Sequence, residues 1–242
     1  MAQLGMDYPT QWSRRSPARY VRDGVQSLFI APVSRSFTSL DVRGSQHLVG
    51  EGPFVLASNH ISHLDTPIVL AALPSRIRRH TVVAAALDTF FEQRSKAFMA
   101  VLFFNAIPID RHKINRRSGE DALALLNDGW TLLIYPEGGR SPDGWLQDFK
   151  GGAAYLADRA SAKVIPTYID GIGGVLGPRY AKAPQYKAQK LRFRHHVAVA
   201  FGEPLAIEEG ENLRRFSARI EDAVVALGRD VSGDPTYGKQ PA

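Results

Sequence analysis

Four short blocks of this 242-residue chain carry residue types that could do chemistry, and each lies in or just after an apolar run. The first is Asn59-His60-Ile61-Ser62-His63-Leu64-Asp65, directly after the run 54–58. His60 and Asp65 stand five apart. A strand-to-helix turn can fold the chain back so that the Asp65 carboxylate accepts the His60 Nδ1–H. That bond fixes the tautomer and raises the basicity of Nε2, as needed to take a proton from a hydroxyl. The bland alternative is Asp65 as a helix N-cap and His60 as a loop residue. An attacking hydroxyl on the substrate would make a protein nucleophile unnecessary. Ser62 sits in no Gly-x-Ser-x-Gly elbow, and the chain has no cysteine. His60, His63 and Asp65 are compact enough to suggest a metal. The remaining histidines, at 47, 80, 112, 195 and 196, add no second ligand pattern, and HExxH is absent, so no metal is expected.

The second block, Pro108-Ile109-Asp110-Arg111, offers an arginine suited to forked contact with a phosphate, or a surface Asp–Arg pair. The third is Tyr135-Pro136-Glu137-Gly138-Gly139-Arg140-Ser141. Its glycines let the backbone approach a ligand, Glu137 can accept from substrate hydroxyls, and Arg140 can bind phosphate. The spacing is not that of a Walker A loop. A solvated glycine turn would look the same. The fourth, Val164-Ile165-Pro166-Thr167, is an apolar strand interrupted by proline, which alone reads as an edge or strand-start position.

The elements that must position these blocks alternate in type. Apolar runs at 54–58, 81–87, 106–109, 131–135, 163–169 and 196–201 read as buried strands. Helical stretches fall between and after them at 65–73, 90–104, 118–127, 149–161 and 211–227. Asp65-Thr66-Pro67 is a helix-start signal. This alternation predicts an α/β fold with a largely parallel central sheet flanked by helices, plus an N-terminal amphipathic helical segment. The organisation expected is residues 1–38 as a membrane-proximal helical segment, 39–228 as the α/β domain and 229–242 as a flexible tail. Along 18–31, Tyr20, Val21, Val25, Leu28 and Phe29 lie near one helical face, with Arg19, Arg22, Asp23 and Gln26 elsewhere. Such a helix either packs on the domain or lies on a membrane surface.

Composition narrows the classes. With 44% hydrophobic and 22% charged residues a globular core is expected and wholesale disorder is excluded. The 21 glycines and 15 prolines show no period, which excludes a collagen-like chain. The longest stretch free of charged side chains, 97–109, is shorter than the roughly 20 apolar residues of a spanning helix. The net charge of +6 suggests an anionic partner: a phosphorylated substrate, a lipid surface or nucleic acid. Basic residues cluster at 76–79, 111–117 and 187–194. Nucleic acid would favour aromatics interleaved with these clusters, and 187–194 holds only Phe193, so no nucleic acid is expected.

Taken together and in this order, the four blocks resemble those of the glycerolipid acyltransferase family, the group that includes 1-acyl-sn-glycerol-3-phosphate acyltransferases. Its pattern runs N-H-x4-D, (F/I)-x-x-R, E-G-T-R-S and V-I-P, and the likeness covers roughly 40–205. Two positions depart from it: Gly139 stands where the family usually has Thr, and Pro108 where an aromatic is common. The resemblance implies an acyl thioester donor, on CoA or acyl carrier protein, and no other cofactor. It implies His60, oriented by Asp65, as the base that activates an acceptor hydroxyl without an acyl-enzyme. It implies Arg111 and Arg140 as phosphate-binding residues, Glu137 as the acceptor-hydroxyl residue, and Gly138, Gly139 and Ser141 as parts of one substrate-binding loop. The acceptor implied is 1-acylglycerol 3-phosphate and the product phosphatidic acid, made by a peripheral enzyme on an anionic membrane surface at its cytoplasmic face. Residues 90–104 would line an acyl tunnel or form a plain core helix. Transfer to another lysophospholipid or an amino lipid stays open because of Gly139. A non-catalytic basic module binding anionic membranes or nucleic acid is the reading from a different class.

Overall fold

A computed structural model of the chain describes residues 5–50, 52–111, 116–172, 194–234 and 236–238. The cluster at 187–194 therefore lies outside the described residues save for Arg194. Seven strands are described: β1 (Thr38–Arg43), β2 (Phe54–Ser58), β3 (Thr81–Ala86), β4 (Ala106–Ile109), β5 (Thr131–Ile134), β6 (Lys163–Asp170) and β7 (His195–Phe201). They form one sheet in the order β1-β7-β6-β2-β5-β3-β4. Every neighbouring pair is parallel except β6 and β7. The helices are α1 (Ala18–Val25), α2 (Ala31–Phe37), α3 (Asp65–Ala72), α4 (Ser75–Arg79), α5 (Leu87–Phe90), α6 (Arg94–Phe104), α7 (Arg116–Asn127), α8 (Gly152–Arg159) and α9 (Leu213–Ser232). A wider π turn, Gln26–Ile30, joins α1 to α2.

All five residues of β2 are buried because helices cover both faces of the sheet there. Phe54 and Leu56 join Ile68, Val69 and Leu70 of α3 on one face. Val55 and Ala57 join Ala153 and Ala154 of α8 and Phe216 and Ile220 of α9 on the other. A strand buried on both faces reads as a continuous apolar run, as this one does. Each large side chain so buried contributes about 1.5–3 kcal/mol. The chain leaves β2 for β3 and β4, then returns to lay β5 between β2 and β3. That reversal opens a crevice at the carboxyl ends of the strands, where ligands bind in open α/β sheets. The turns after β2, β4 and β5 all emerge at this edge.

Three local expectations are corrected. First, β1 has no counterpart among the expected strands. It pairs with β7 alone and is largely solvent-facing, so no apolar run marks it. Second, the expected helix 90–104 is two helices, α5 and α6, with Phe91 buried between them, and Leu87 belongs to α5 rather than to a strand. Third, the last helix runs to Ser232 instead of ending at Leu227. Gly228 sits inside the helix, where a Cβ would overlap the ring of Tyr237. Tyr237 packs edge-to-face on buried Tyr168 at 4.9 Å between centroids. The flexible tail expected from residue 229 is thus replaced, over 229–232 and at Tyr237, by packed structure.

The N-terminal helix packs with an inverted polarity. Tyr20, Val21, Leu28, Phe29 and Val33 are 50–71% exposed, while Arg22 and Gln26 are buried. The cause is a set of backbone carbonyls left over on the domain side. Arg22 Nη1 donates to Ser13 O at 2.7 Å, and Gln26 Nε2 donates to Phe103 O at 2.7 Å, in the last turn of α6. Buried carbonyls need donors more than the apolar side chains need cover. Among the described residues no helix is long and apolar enough to cross a membrane.

Candidate active site

The turn after β2 is fastened before it does anything else. The Asn59 amide donates to Ile169 O at 3.0 Å and accepts from Ile169 N at 2.8 Å, so it continues the pairing of β2 with β6 through a side chain. The chain then bends into α3, whose first residue is Asp65. One carboxylate oxygen, Asp65 Oδ2, receives three N–H groups: His60 Nδ1 at 2.8 Å, Ile61 N at 2.7 Å and Ser62 N at 2.9 Å. Asp65 is 1% exposed, whereas the His60 side chain keeps 18% of its surface open. With Nδ1–H on the carboxylate, Nε2 is left as the free basic edge of the ring.

Tyr135, the residue after β5, lies flat against this imidazole, 4.0 Å between centroids and 18° between planes. Its hydroxyl shares a hydrogen bond with Thr66 Oγ1 at 2.9 Å. Burial, followed by the nearby Asp65 charge, raises the phenol well above its ordinary pKa, so it stays neutral.

The loop from Glu137 to Ser141 is stitched to the same turn by reciprocal bonds. His60 N donates to Glu137 Oε1 at 2.6 Å, and Ser141 N donates to His60 O at 2.8 Å. Glu137 Oε2 accepts from Gln147 N at 2.9 Å. Glu137, expected to face an acceptor hydroxyl, thus ties the turn that carries His60 to the backbone at Gln147, one oxygen to each. Ser141 likewise turns inward: it is buried, and its Oγ accepts the Gly144 N–H at 2.8 Å. Gly138, at φ +73°, permits a close pass of Lys150, whose Nζ lies 2.6 Å from where a Cβ would stand and donates to Arg111 O at 3.0 Å.

Arg111, after β4, reaches the loop through Nη1, 3.4 Å from Gly138 O. Its Nε and Nη2 both donate to Asp88 Oδ2, at 3.1 and 2.7 Å. A Cβ at Gly139 would lie 3.3 Å from Arg111 Nη1, a tight contact, so the absence of a side chain lets the guanidinium lie close against the loop. Arg140 is exposed at the end of the loop. It lies near enough to His63 that, after desolvation, its charge is the next influence lowering that histidine's pKa. The structure thus brings His60, Asp65, Glu137, Ser141 and, through Gly138, Arg111 into one bonded assembly, with Arg140 at its margin. His63 is exposed, and among the described residues no His/Asp/Glu group could hold a metal. The sequence reading missed Tyr135, Thr66, Asp88, Gln147 and Lys150. Only Tyr135 carried a signal, as an aromatic at a strand end beside the glycine loop.

Glu137 supplies a pH test. Burial pushes its carboxyl up to about 8, against the pull of its two backbone N–H donors. Between its ordinary 4.5 and about 8 the folded chain holds a proton that the unfolded chain has released. Its contribution to stability is therefore full below the lower value and is lost as pH rises through the higher one. The thermal midpoint of the wild type should fall more steeply than that of Glu137→Gln between about pH 5 and pH 8.5. Parallel curves would mean that Glu137 is ionised throughout.

Comparison with known proteins shows the family and the fold. A family model described as Acyltransferase matches residues 39–170, more than half of the chain. A 1-acyl-sn-glycerol-3-phosphate acyltransferase alpha of Ovis aries is 31% identical over 205 residues, 82% of this chain and 66% of the relative. The alpha form of Homo sapiens is 31% identical over 130 residues, 52% of this chain and 44% of the relative. The chain therefore spans no more than about two thirds of the length of these relatives. Among solved structures, that of the 1-acyl-sn-glycerophosphate (LPA) acyltransferase, PlsC, from Thermotoga maritima superposes with a TM-score of 0.66. It covers 95% of this chain and 85% of its own, at 18% identity, a likeness of fold.

Proposed function

The chain belongs to the glycerolipid acyltransferase family, and from that membership and the geometry of its site we propose that it acylates 1-acylglycerol 3-phosphate to phosphatidic acid. The donor is a fatty acyl thioester on CoA or acyl carrier protein. His60 Nε2 takes the proton of the acceptor hydroxyl as that oxygen bonds to the thioester carbonyl carbon. The tetrahedral intermediate collapses, the C–S bond breaks, and the leaving thiolate takes the proton back from the imidazolium. Asp65 holds the ring and balances its transient charge. The acceptor phosphate sits on Arg111 and Arg140. The observation that carries this reading is the 2.8 Å bond from His60 Nδ1 to a buried carboxylate already anchored by two backbone N–H groups. Gly139, which leaves no hydroxyl beside Arg111, favours a second reading with another lysophospholipid or an amino lipid as acceptor. Mass spectrometry of products from an acceptor panel, with acyl-CoA and acyl carrier protein as donors and a thiol reagent present, separates them. Phosphatidic acid from 1-acylglycerol 3-phosphate supports the first. An acylated product from a different acceptor alone supports the second, and no released thiol with any pair overturns both.

Substrate and product both carry long chains, so the proposal includes peripheral docking on an anionic membrane at its cytoplasmic face. The outward apolar residues Val21, Leu28 and Phe29 enter the acyl boundary, with Arg15 and Arg35, both exposed, against the headgroups. Arg22, expected among those cations, is buried and takes no part. Each basic residue near the surface adds about 1 kcal/mol, screened by salt. Binding should be stronger to anionic than to neutral liposomes and weaker in high salt. The double variant Leu28→Ser, Phe29→Ser should co-sediment less while keeping its activity on a short-chain, water-soluble acceptor. Salt-insensitive binding unchanged by that variant would move the docking surface elsewhere.

A further inference from the structure

The Asp65 bond leaves one motion of the base uncontrolled. A hydrogen bond in the plane of an imidazole fixes the direction of Nδ1, but the ring can still swing about that bond and carry Nε2 away from a bound hydroxyl. A flat wall against one face removes that freedom. Tyr135 is such a wall, parallel to the His60 ring within 18° and 4.0 Å from it. The wall is itself tied down by the Thr66 hydroxyl at 2.9 Å. Thr66 directly follows Asp65 in α3, so two successive residues of one helical turn hold the in-plane bond and the out-of-plane surface. Any shift of α3 moves both constraints together and keeps their mutual angle. The tyrosine face also presents electron density to a ring that becomes cationic when it takes the proton, and a cation is attracted to an aromatic face where a neutral ring gains less.

We propose that Tyr135, seated by Thr66, is a positioning residue for His60, holding the ring plane through catalysis and facing the charge that the ring carries once it has taken the proton. This rests on His60 being the base, and the experiment keeps the two apart. The variants Tyr135→Leu, Tyr135→Met and Tyr135→Phe are purified as full chains, and folding is checked by thermal midpoint. Tyr135→Met fills the volume flexibly where leucine would leave a gap. For each, kcat and both KM values are measured, and the low-field proton resonance of the His60 Nδ1–H is recorded. His60→Ala, which must lose that resonance, assigns it.

A face worth one cation–π contact corresponds to about a ten-fold loss of kcat in the leucine and methionine variants. Both KM values should change by less than about two-fold, and the Nδ1–H resonance should broaden as the ring gains freedom. Tyr135→Phe and Thr66→Val keep the ring and lose only the hydroxyl bond, and should lose about three-fold at most. A folded leucine or methionine variant with wild-type kcat and a sharp resonance overturns the inference. So does a phenylalanine variant as impaired as the leucine one, which would assign the effect to the hydroxyl. Full activity in His60→Ala would instead remove the general-base reading, while the resonance would still report whether Tyr135 holds the ring.

Discussion

Replacing His60 by alanine is expected to cut turnover by about 10²–10⁴-fold, the usual share of general-base catalysis. The proton of the acceptor hydroxyl then has no acceptor but solvent, while the anchoring of the loop survives. His60 holds Glu137 and Ser141 through its backbone N–H and C=O, which alanine keeps. The fold and both KM values should therefore stay close to wild type, so the loss falls on kcat. Asp65→Asn should approach the same loss by a different route. The amide can offer its oxygen to the three N–H donors now on Oδ2, but it supplies no charge for the imidazolium. Its NH2 would take the place of Oδ1, a buried atom without a hydrogen bond to the described residues, at a cost of about 1–3 kcal/mol in stability. Thiol release from acyl-CoA with a saturating acceptor measures both variants. Near-full activity in folded His60→Ala would sink the dyad mechanism.

How much of this was legible beforehand depends on the span of each interaction. The His60–Asp65 bond closes over five residues, and a strand-to-helix turn makes it by local geometry, so the spacing offered it beside the plainer N-cap reading and the order of the four blocks favoured it. The runs of β2 and β5 read as buried strands because both of their faces are covered. Glu137 shows the opposite case. One of its oxygens is held by a backbone N–H 77 residues away, and nothing near Glu137 in the chain announces that its carboxyl turns back to the turn that carries His60. The stacking of Tyr135 on His60 is equally non-local. The N-terminal helix takes its orientation for an energetic reason. Its apolar stripe allows packing on the domain or an outward face for a membrane surface, and the stripe faces out because Arg22 and Gln26 turn inward to satisfy carbonyls of Ser13 and Phe103 that only the tertiary fold brings within reach. Gly228 shows the same limit, since the reason for a glycine inside this helix is a tyrosine nine residues later that needs the space.

Arg111→Ala is expected to raise the KM for the phosphorylated acceptor by about ten- to hundred-fold and to leave the donor KM nearly unchanged. A charge-assisted hydrogen bond to phosphate is worth about 1.5–3 kcal/mol, which is that range. The geometry decides where the effect falls. Asp88 takes Nε and Nη2, so Nη1 is the donor that reaches toward Gly138 and lies against the backbone at Gly139. A phosphate entering there meets a guanidinium already oriented, and the orienting carboxylate also tempers its charge. Arg111→Lys keeps the charge but loses the planar fork that can hold Asp88 and a phosphate together, so it should recover only part of the loss. Asp88→Asn should act in the other sense on charge and the same sense on order. It removes a competing anion but loosens the guanidinium, and its acceptor KM should move far less than that of Arg111→Ala. Arg140→Ala should share the direction of Arg111→Ala at smaller magnitude, because an exposed arginine works against solvent screening. Competition by inorganic phosphate adds an independent reading: it should inhibit the wild type against the acceptor and lose its grip in Arg111→Ala. A defect confined to the donor KM would reassign Arg111 to the phosphates of CoA, and the acceptor phosphate would then have to be held by Arg140.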